Sequence, residues 1–155
     1  MRCLTEAEEK SKDICELHDL IWALIAYSKA WKEILNDRTE ARRCLINAMA
    51  VVEELKNNSW WPLLECAEAW MSILNDETEA RECIMQAELT STSVLEWSWC
   101  ATRWNFTLKD EQEAQRCMRQ AEKKSKTKSD WKFCADSWSS LGNEEEAKRC
   151  RKKIS

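Results

Sequence analysis

The sequence predicts an all-α protein, an α-solenoid in which antiparallel helical hairpins stack into a right-handed superhelix. The first observation is an internal repeat, because a tryptophan returns after 39, 34 and 34 residues, at Trp31, Trp70, Trp104 and Trp138. The second is that Asp or Asn followed three residues later by Glu recurs at one place in all four copies, which is typical of a helix N-terminus. The third is composition, since one glycine and one proline in 155 residues favour helix after helix.

Each copy contains the patterns of two helices. In the third copy one helical face carries Trp97, Cys100, Ala101, Trp104 and Leu108, and a second carries Ala114, Cys117, Met118 and Ala121. Small residues allow two antiparallel helices to approach closely, and the tryptophan ring then fills the space towards the next hairpin. Because one hairpin cannot bury both of its faces alone, we expect the hairpins to stack.

We expect one repeat domain over residues 1–155. Residues 1–10 match only the end of a unit, and the hairpins are expected at about 12–56, 60–90, 94–125 and 129–154. Ser59 can cap the first helix of the second hairpin, where Pro62 is tolerated in the first turn. The second helices are expected to begin at four capping boxes, Asp37–Glu40, Asp76–Glu79, Asp110–Glu113 and Asn143–Glu146.

The motif Trp97-x-x-Cys100-Ala101-x-x-Trp104, followed by Ala114-x-x-x-Met118, resembles the 34-residue tetratricopeptide repeat. The same pattern recurs from Leu63 and from Trp131, and the resemblance covers about residues 24–155. Cysteine stands where leucine is usual, tryptophan where tyrosine is usual, and the closing proline is missing, so we describe the chain as tetratricopeptide-like (TPR-like). The resemblance implies that the first helices line a concave groove that holds an extended peptide or a partner helix.

The cysteines follow the repeat. Of nine, three lie on first helices (Cys66, Cys100, Cys134) and four on second helices (Cys44, Cys83, Cys117, Cys150). Equivalent positions of stacked hairpins lie roughly 9–10 Å apart, too far for a disulfide. Bonds between the two columns are not excluded, and a secreted disulfide framework is the alternative interpretation. We expect reduced, buried cysteines and a cytoplasmic location.

The sequence contains no recognisable catalytic, cofactor or metal motif. His18 is the only histidine, Cys-x-x-Cys does not occur, and Gly142 is the only glycine, which excludes a glycine-rich phosphate loop. No apolar run approaches the ~20 residues that span a bilayer, and the N-terminus lacks the apolar core of a signal peptide. We therefore expect a protein that is not an enzyme, has no cofactor and does not associate with a membrane.

The resemblance places candidate partner-binding residues on first helices, off the buried face: Trp61, Leu64, Met71, Leu95, Thr102, Phe106, Lys132 and Asp136. The alternative is that their apolar members pack into neighbouring hairpins. The carboxylate clamp of some family members is not visible, because Glu68, Thr102 and Asp136 stand at the equivalent step, so an acidic tail is not the predicted ligand. The predicted function is a protein–protein interaction scaffold that binds a peptide or helix.

A self-assembling subunit that stacks end to end, into an oligomer or filament, is the alternative function. Both ends of the sequence look like unfinished repeats. Residues 118–155 carry 11 Lys and Arg against 6 Asp and Glu, whereas residues 1–117 carry 13 against 22. An acidic front and a basic back favour head-to-tail contacts. The net charge of −4 argues against nucleic acid as the partner.

Overall fold

The computed structural model describes residues 17–55 and 59–154, and all regular structure within these ranges is helical. The predicted all-α class is therefore confirmed, whereas the predicted half unit at residues 1–10 lies outside the described residues. The helix pairs fall within the predicted hairpin limits, except that the seventh helix begins one residue earlier. The elements are α1 (Leu17–Ile34), α2 (Arg38–Glu54), α3 (Trp60–Ala69), a π-helical turn (Trp70–Leu74), α4 (Glu77–Thr90), α5 (Val94–Phe106), α6 (Glu111–Lys124), α7 (Lys128–Ser140) and α8 (Glu144–Arg151).

The helices form two compact units, with the boundary inside α4, between Gln86 and Ala87. In unit 1, α1 packs along α2, and both contact α3 and the π-helical turn that continues it. In unit 2, α5 packs along α6 and α7 along α8, and α7 also contacts both α5 and α6. Within each unit, helices therefore pack against their neighbours in the chain.

The four predicted N-caps are present. In none of them, however, does the glutamate of the capping box accept from the N–H of the cap residue. Side-chain oxygens of Asp37, Asp76, Asp110 and Asn143 accept from the N–H three residues on, at 3.0–3.3 Å. The N–H of each cap residue donates to the carbonyl of the preceding repeat tryptophan, at 2.9–3.1 Å. Because that N–H is already used, Glu40, Glu113 and Glu146 pair instead with the arginine three residues on.

The residue before each of these N-caps has a left-handed backbone. The φ angles are 50° at Asn36, 52° at Asn75, 57° at Lys109 and 79° at Gly142. The single glycine of the chain thus lies where its lack of a Cβ is useful. Asparagine tolerates this conformation better than lysine does, so the four turns share a geometry but differ in strain.

The core includes the tryptophan and cysteine columns of the repeat. The tryptophans Trp31, Trp70, Trp104 and Trp138 are at most 2% exposed, and seven cysteines are at most 1% exposed. Ser28 occupies the position that later copies fill with alanine, and its hydroxyl donates to the carbonyl of Ala41 at 2.8 Å. The serine hydroxyl, which stands where the other copies have only a methyl group, is therefore hydrogen-bonded between α1 and α2.

Candidate functional site

In each hairpin of unit 2, a largely buried carboxylate accepts hydrogen bonds from side chains of both helices, and we call each such cluster a clasp. The first clasp is centred on Glu88 of α4, whose side chain is 11% exposed. Glu88 accepts from the indole N–H of Trp104 at 2.6 Å, from the guanidinium of Arg116 through both oxygens at 2.6–2.7 Å, and from the thiol of Cys117 at 3.1 Å. Its charge is thereby matched by one arginine, whose Nη2 group donates to both carboxylate oxygens.

The second clasp repeats these contacts 34 residues later, around Glu122 of α6, whose side chain is 9% exposed. Glu122 accepts from the indole N–H of Trp138 at 2.6 Å, from Nη2 of Arg149 through both carboxylate oxygens, and from the thiol of Cys150 at 3.6 Å. In each clasp the carboxylate therefore holds the indole N–H of the tryptophan on the first helix of the hairpin, α5 or α7.

The cysteine side chains act as neutral thiols. All seven described cysteines are free and buried, while Cys3 and Cys15 lie outside the described residues. Burial raises the pKa of Cys66, Cys100 and Cys150 to about 12. Burial first, and then the charge of Glu88, raise the pKa of Cys117 even further above its ordinary value. A protonated thiol is a hydrogen-bond donor rather than a nucleophile or metal ligand, and no group of three or more His, Cys, Asp and Glu in the described ranges could hold a metal.

A cleft of about 320 Å³ runs between α5 and α7, and we call it the unit 2 cleft. Phe106 and Phe133 are its most prominent apolar side chains, 51% and 38% exposed. Thr102 and Ser140 lie along it, and each hydroxyl donates to a carbonyl of its own helix, at 3.0 Å in both cases. The complete lining is Ser98, Trp99, Thr102, Phe106, Phe133, Asp136, Ser137 and Ser140.

A second, smaller cleft of about 260 Å³ lies in unit 1, between α1 and the helix formed by α3 and its π-helical turn. Its charged members include Lys29 and Glu33, which form an ion pair at 3.9 Å. It has no aromatic lining residue, so it differs in character from the unit 2 cleft. The lining is Ile25, Lys29, Glu33, Glu65, Glu68, Ala69, Ser72 and Ile73.

The structure brings together three of the eight predicted site residues, because Thr102, Phe106 and Asp136 all line the unit 2 cleft. Leu95 and Lys132 are exposed on α5 and α7 but lie outside this lining.

In unit 1, Trp61 and Met71 are half-buried and line neither cleft. Leu64 is 0% exposed, which corrects its placement on a groove surface. Leu64 and the adjacent Leu63, which is 3% exposed, are both buried near the start of α3, so Leu64 is not available to a partner.

Two features were missed by the sequence analysis, although the repeat alignment contains their signal. Trp99 and Phe133 are equivalent residues, 34 apart, so an aromatic pair on the groove face could have been found. The clasps were visible in the same way, because Glu88 and Glu122 are equivalent, as are Arg116 and Arg149.

No protein-family model, curated protein or solved structure matches this chain. The tetratricopeptide-like resemblance therefore stays a prediction that depends on the motif and spacing alone. Among the described helices, none combines the length and the apolar character needed to cross a bilayer.

Proposed function

We propose that this protein is a non-enzymatic interaction scaffold with a tetratricopeptide-like solenoid fold, and that it binds a peptide or helix of another protein in the unit 2 cleft. The observation that supports this most directly is the pair Phe106 and Phe133. These two aromatic side chains are exposed on neighbouring helices and line one cleft. Concave surfaces with exposed apolar side chains and a few polar groups are where proteins bind ligands.

The exposure of this pair follows from the burial of the repeat tryptophans. Phe106 lies two residues after Trp104, and Phe133 lies five residues before Trp138. In an α-helix both spacings correspond to a rotation of roughly 200°. When the clasps hold the tryptophans in the core, the phenylalanines therefore face away from it.

The size of the surface indicates weak, reversible binding. Complete burial of a phenylalanine side chain contributes about 1.5–3 kcal/mol, so covering the exposed part of both rings contributes about 2 kcal/mol. A micromolar complex requires about 8 kcal/mol. Backbone and polar contacts of the partner would supply the remainder, as is usual when a peptide lies along a groove.

Selection from a random peptide library displayed on phage tests this proposal with the full chain. Enriched peptides, synthesised with a fluorescent label, should bind with micromolar Kd and lose at least about tenfold in affinity when Phe106→Ser and Phe133→Ser are combined. Ile46→Ser is the matched control, because Ile46 is 53% exposed on α2. Peptides that bind the double variant as well as the original protein would contradict the proposal.

Self-association is a second candidate, favoured by apolar exposure on and just after α1. Trp22 is 48% exposed, Ile34 75% and Leu35 40%. Light scattering over a range of concentrations, with a reducing agent present, tests this candidate. A mass that rises with concentration and returns to 18.3 kDa in Trp22→Ser or Ile34→Ser would support it, and a constant mass near 18.3 kDa would exclude it.

A further inference from the structure

We infer that the unit 2 cleft selects a basic segment, in which an apolar side chain is followed by lysine or arginine, over an acidic one. This inference rests on the proposed function and specifies the chemistry of its partner. It follows from the direction of two hydrogen bonds that the cleft already makes and from Asp136, the one charged side chain in its lining.

Two of the four hydroxyl groups in the lining, those of Thr102 and Ser140, are left as acceptors. Thr102 Oγ1 donates its only proton to the carbonyl of Ser98 at 3.0 Å, and Ser140 Oγ donates its only proton to the carbonyl of Asp136 at 3.0 Å. A hydroxyl whose proton is committed within the helix can only accept from a third group. On both walls, a partner would therefore meet oxygens that need a donor.

The charge of the cleft has the same bias. Asp136 is exposed and is the one charged residue in the lining, so no cation is present there to attract a carboxylate. An ionised carboxylate is an acceptor only. An N–H donor with a positive charge would form a charge-assisted hydrogen bond with it, whereas an acidic partner would meet a like charge.

Ser98 gives an independent indication that the polar floor of the cleft lacks a partner. It is 3% exposed, and its hydroxyl forms no hydrogen bond with any described residue. Buried polar atoms normally have a partner, and Ser98 belongs to the same lining as Asp136 and the two phenylalanines.

Lysine and arginine combine the two properties that the cleft presents. Their aliphatic stems can pack along Phe106 and Phe133 while the charged head reaches Asp136. The rings themselves favour a cation over their faces. A neutral apolar side chain would only pack against the phenylalanine rings. A glutamate would neither place a cation over the rings nor donate to the acceptor oxygens.

The experiment compares two short labelled peptides that share the same leucines and differ only in having lysine or glutamate between them. Fluorescence anisotropy with the full chain should show the lysine peptide binding about tenfold more tightly, the change that one charge-assisted contact gives. Asp136→Asn should remove most of that preference. Glu53→Gln, the same change of charge at an exposed residue of α2, should leave it intact. Phe106→Ser combined with Phe133→Ser should weaken both peptides.

The outcomes separate this inference from the function on which it rests. Equal binding of the two peptides, lost in the double phenylalanine variant, would overturn the basic preference and support the cleft as a binding site. A lysine preference that Asp136→Asn leaves unchanged, or that Glu53→Gln reduces as much, would show attraction to the acidic protein as a whole and would also overturn the inference. Binding of neither peptide, or binding that ignores both phenylalanines, would count against the proposed function itself.

Discussion

The two units bury the same repeat tryptophan in different ways. In unit 2 the indole N–H groups of Trp104 and Trp138 donate to the largely buried carboxylates of Glu88 and Glu122. In unit 1 the indole N–H of Trp70 is buried, with no hydrogen-bond partner among the described residues. A buried tryptophan N–H usually finds an acceptor, so unit 1 lacks a stabilising contact that unit 2 makes twice.

The sequence of unit 1 explains the difference. Glu54 is equivalent to the clasp residues Glu88 and Glu122, but the position of the clasp arginine is occupied by Glu82. Two carboxylates cannot form an ion pair, and Glu54 is exposed. The ring face of Trp70 is contacted by Arg42 at 5.2 Å, as the ring face of the clasped Trp138 is contacted by Arg119 at 5.2 Å. The position of the clasp arginine thus distinguishes the hairpins of Trp104 and Trp138, whose indole N–H is hydrogen-bonded, from the hairpin of Trp70, whose indole N–H has no partner among the described residues.

Replacing Glu122 with alanine should have the largest effect, because it leaves the Trp138 N–H, the Arg149 guanidinium and the Cys150 thiol without their shared acceptor. Loss of a buried charged partner costs about 2–4 kcal/mol. We expect the lower value, about 2 kcal/mol, since the side chain of Arg149 is 41% exposed and can be rehydrated. Urea unfolding followed by tryptophan fluorescence measures the change.

The equivalent substitution Glu54→Ala is the control, and we expect it to change the free energy of unfolding by less than about 0.5 kcal/mol. The clasp would be of no energetic importance if the two alanine variants lost the same stability.

Acid should weaken unit 2 through Glu146, which accepts from both Arg119 and Arg149. The hydrogen bonds from these arginines lower the pKa of Glu146 from 4.5 to about 2. Because the folded pKa is the lower one, this contribution is complete above about pH 4.5 and is lost as the pH falls through about 2. Glu146→Gln should therefore reduce the loss of stability between these pH values, measured by unfolding at several pH values. Glu145→Gln, at the exposed neighbour, should leave the acid dependence unchanged; equal curves for both variants would contradict this explanation.

Building a clasp in unit 1 would test the difference between the units by adding the contact that unit 1 lacks. Glu82→Arg restores the arginine of unit 2, and an arginine there can pair with Glu54 and draw that carboxylate towards the indole N–H of Trp70. We expect a gain of about 1 kcal/mol, the usual net contribution of one satisfied buried hydrogen bond. The double variant Glu54→Ala with Glu82→Arg should cancel the gain, and additivity of the two changes would show that no clasp had formed.

The helices and their caps could be predicted because four copies align and each cap is a local signal, as at Asp37 and Asn143. The exposure of a side chain could not be predicted from its position in the repeat. Leu64, Ser98 and Lys132 are equivalent, yet the first two are buried and the third is exposed. Burial depends on which elements pack over each hairpin, and the spacing of apolar residues gives no information about those elements.

The lining of the candidate cleft could be predicted where the position in the repeat and the type of residue indicated the same surface. Thr102, Phe106 and Asp136 were identified from their positions on first helices. Phe133 was missed because its partner in the repeat, Trp99, is a different aromatic residue and the first two copies have none there. The sequence analysis expected each capping-box glutamate to accept from the N–H of its cap residue, and therefore missed its arginine partner. That N–H donates instead to a carbonyl six or five residues earlier, a contact that depends on the shape of the turn.

The turns before the N-caps give the smallest expected effect and a last contrast between the units. Unit 1 uses asparagine at both left-handed positions, whereas unit 2 uses Lys109 and Gly142. Since an ordinary side chain costs about 1–2 kcal/mol in this conformation and glycine loses more entropy on folding, Lys109→Gly should gain about 0.5–1 kcal/mol. Gly142→Ala should lose a similar amount. No atom beyond the two chain neighbours lies within 4 Å of the added Cβ, so that loss would come from the backbone angle. Asn75→Gly is the control in unit 1 and should gain less than Lys109→Gly in thermal unfolding, because asparagine already tolerates a positive φ; an equal gain at both turns would mean that Lys109 is no more strained than asparagine.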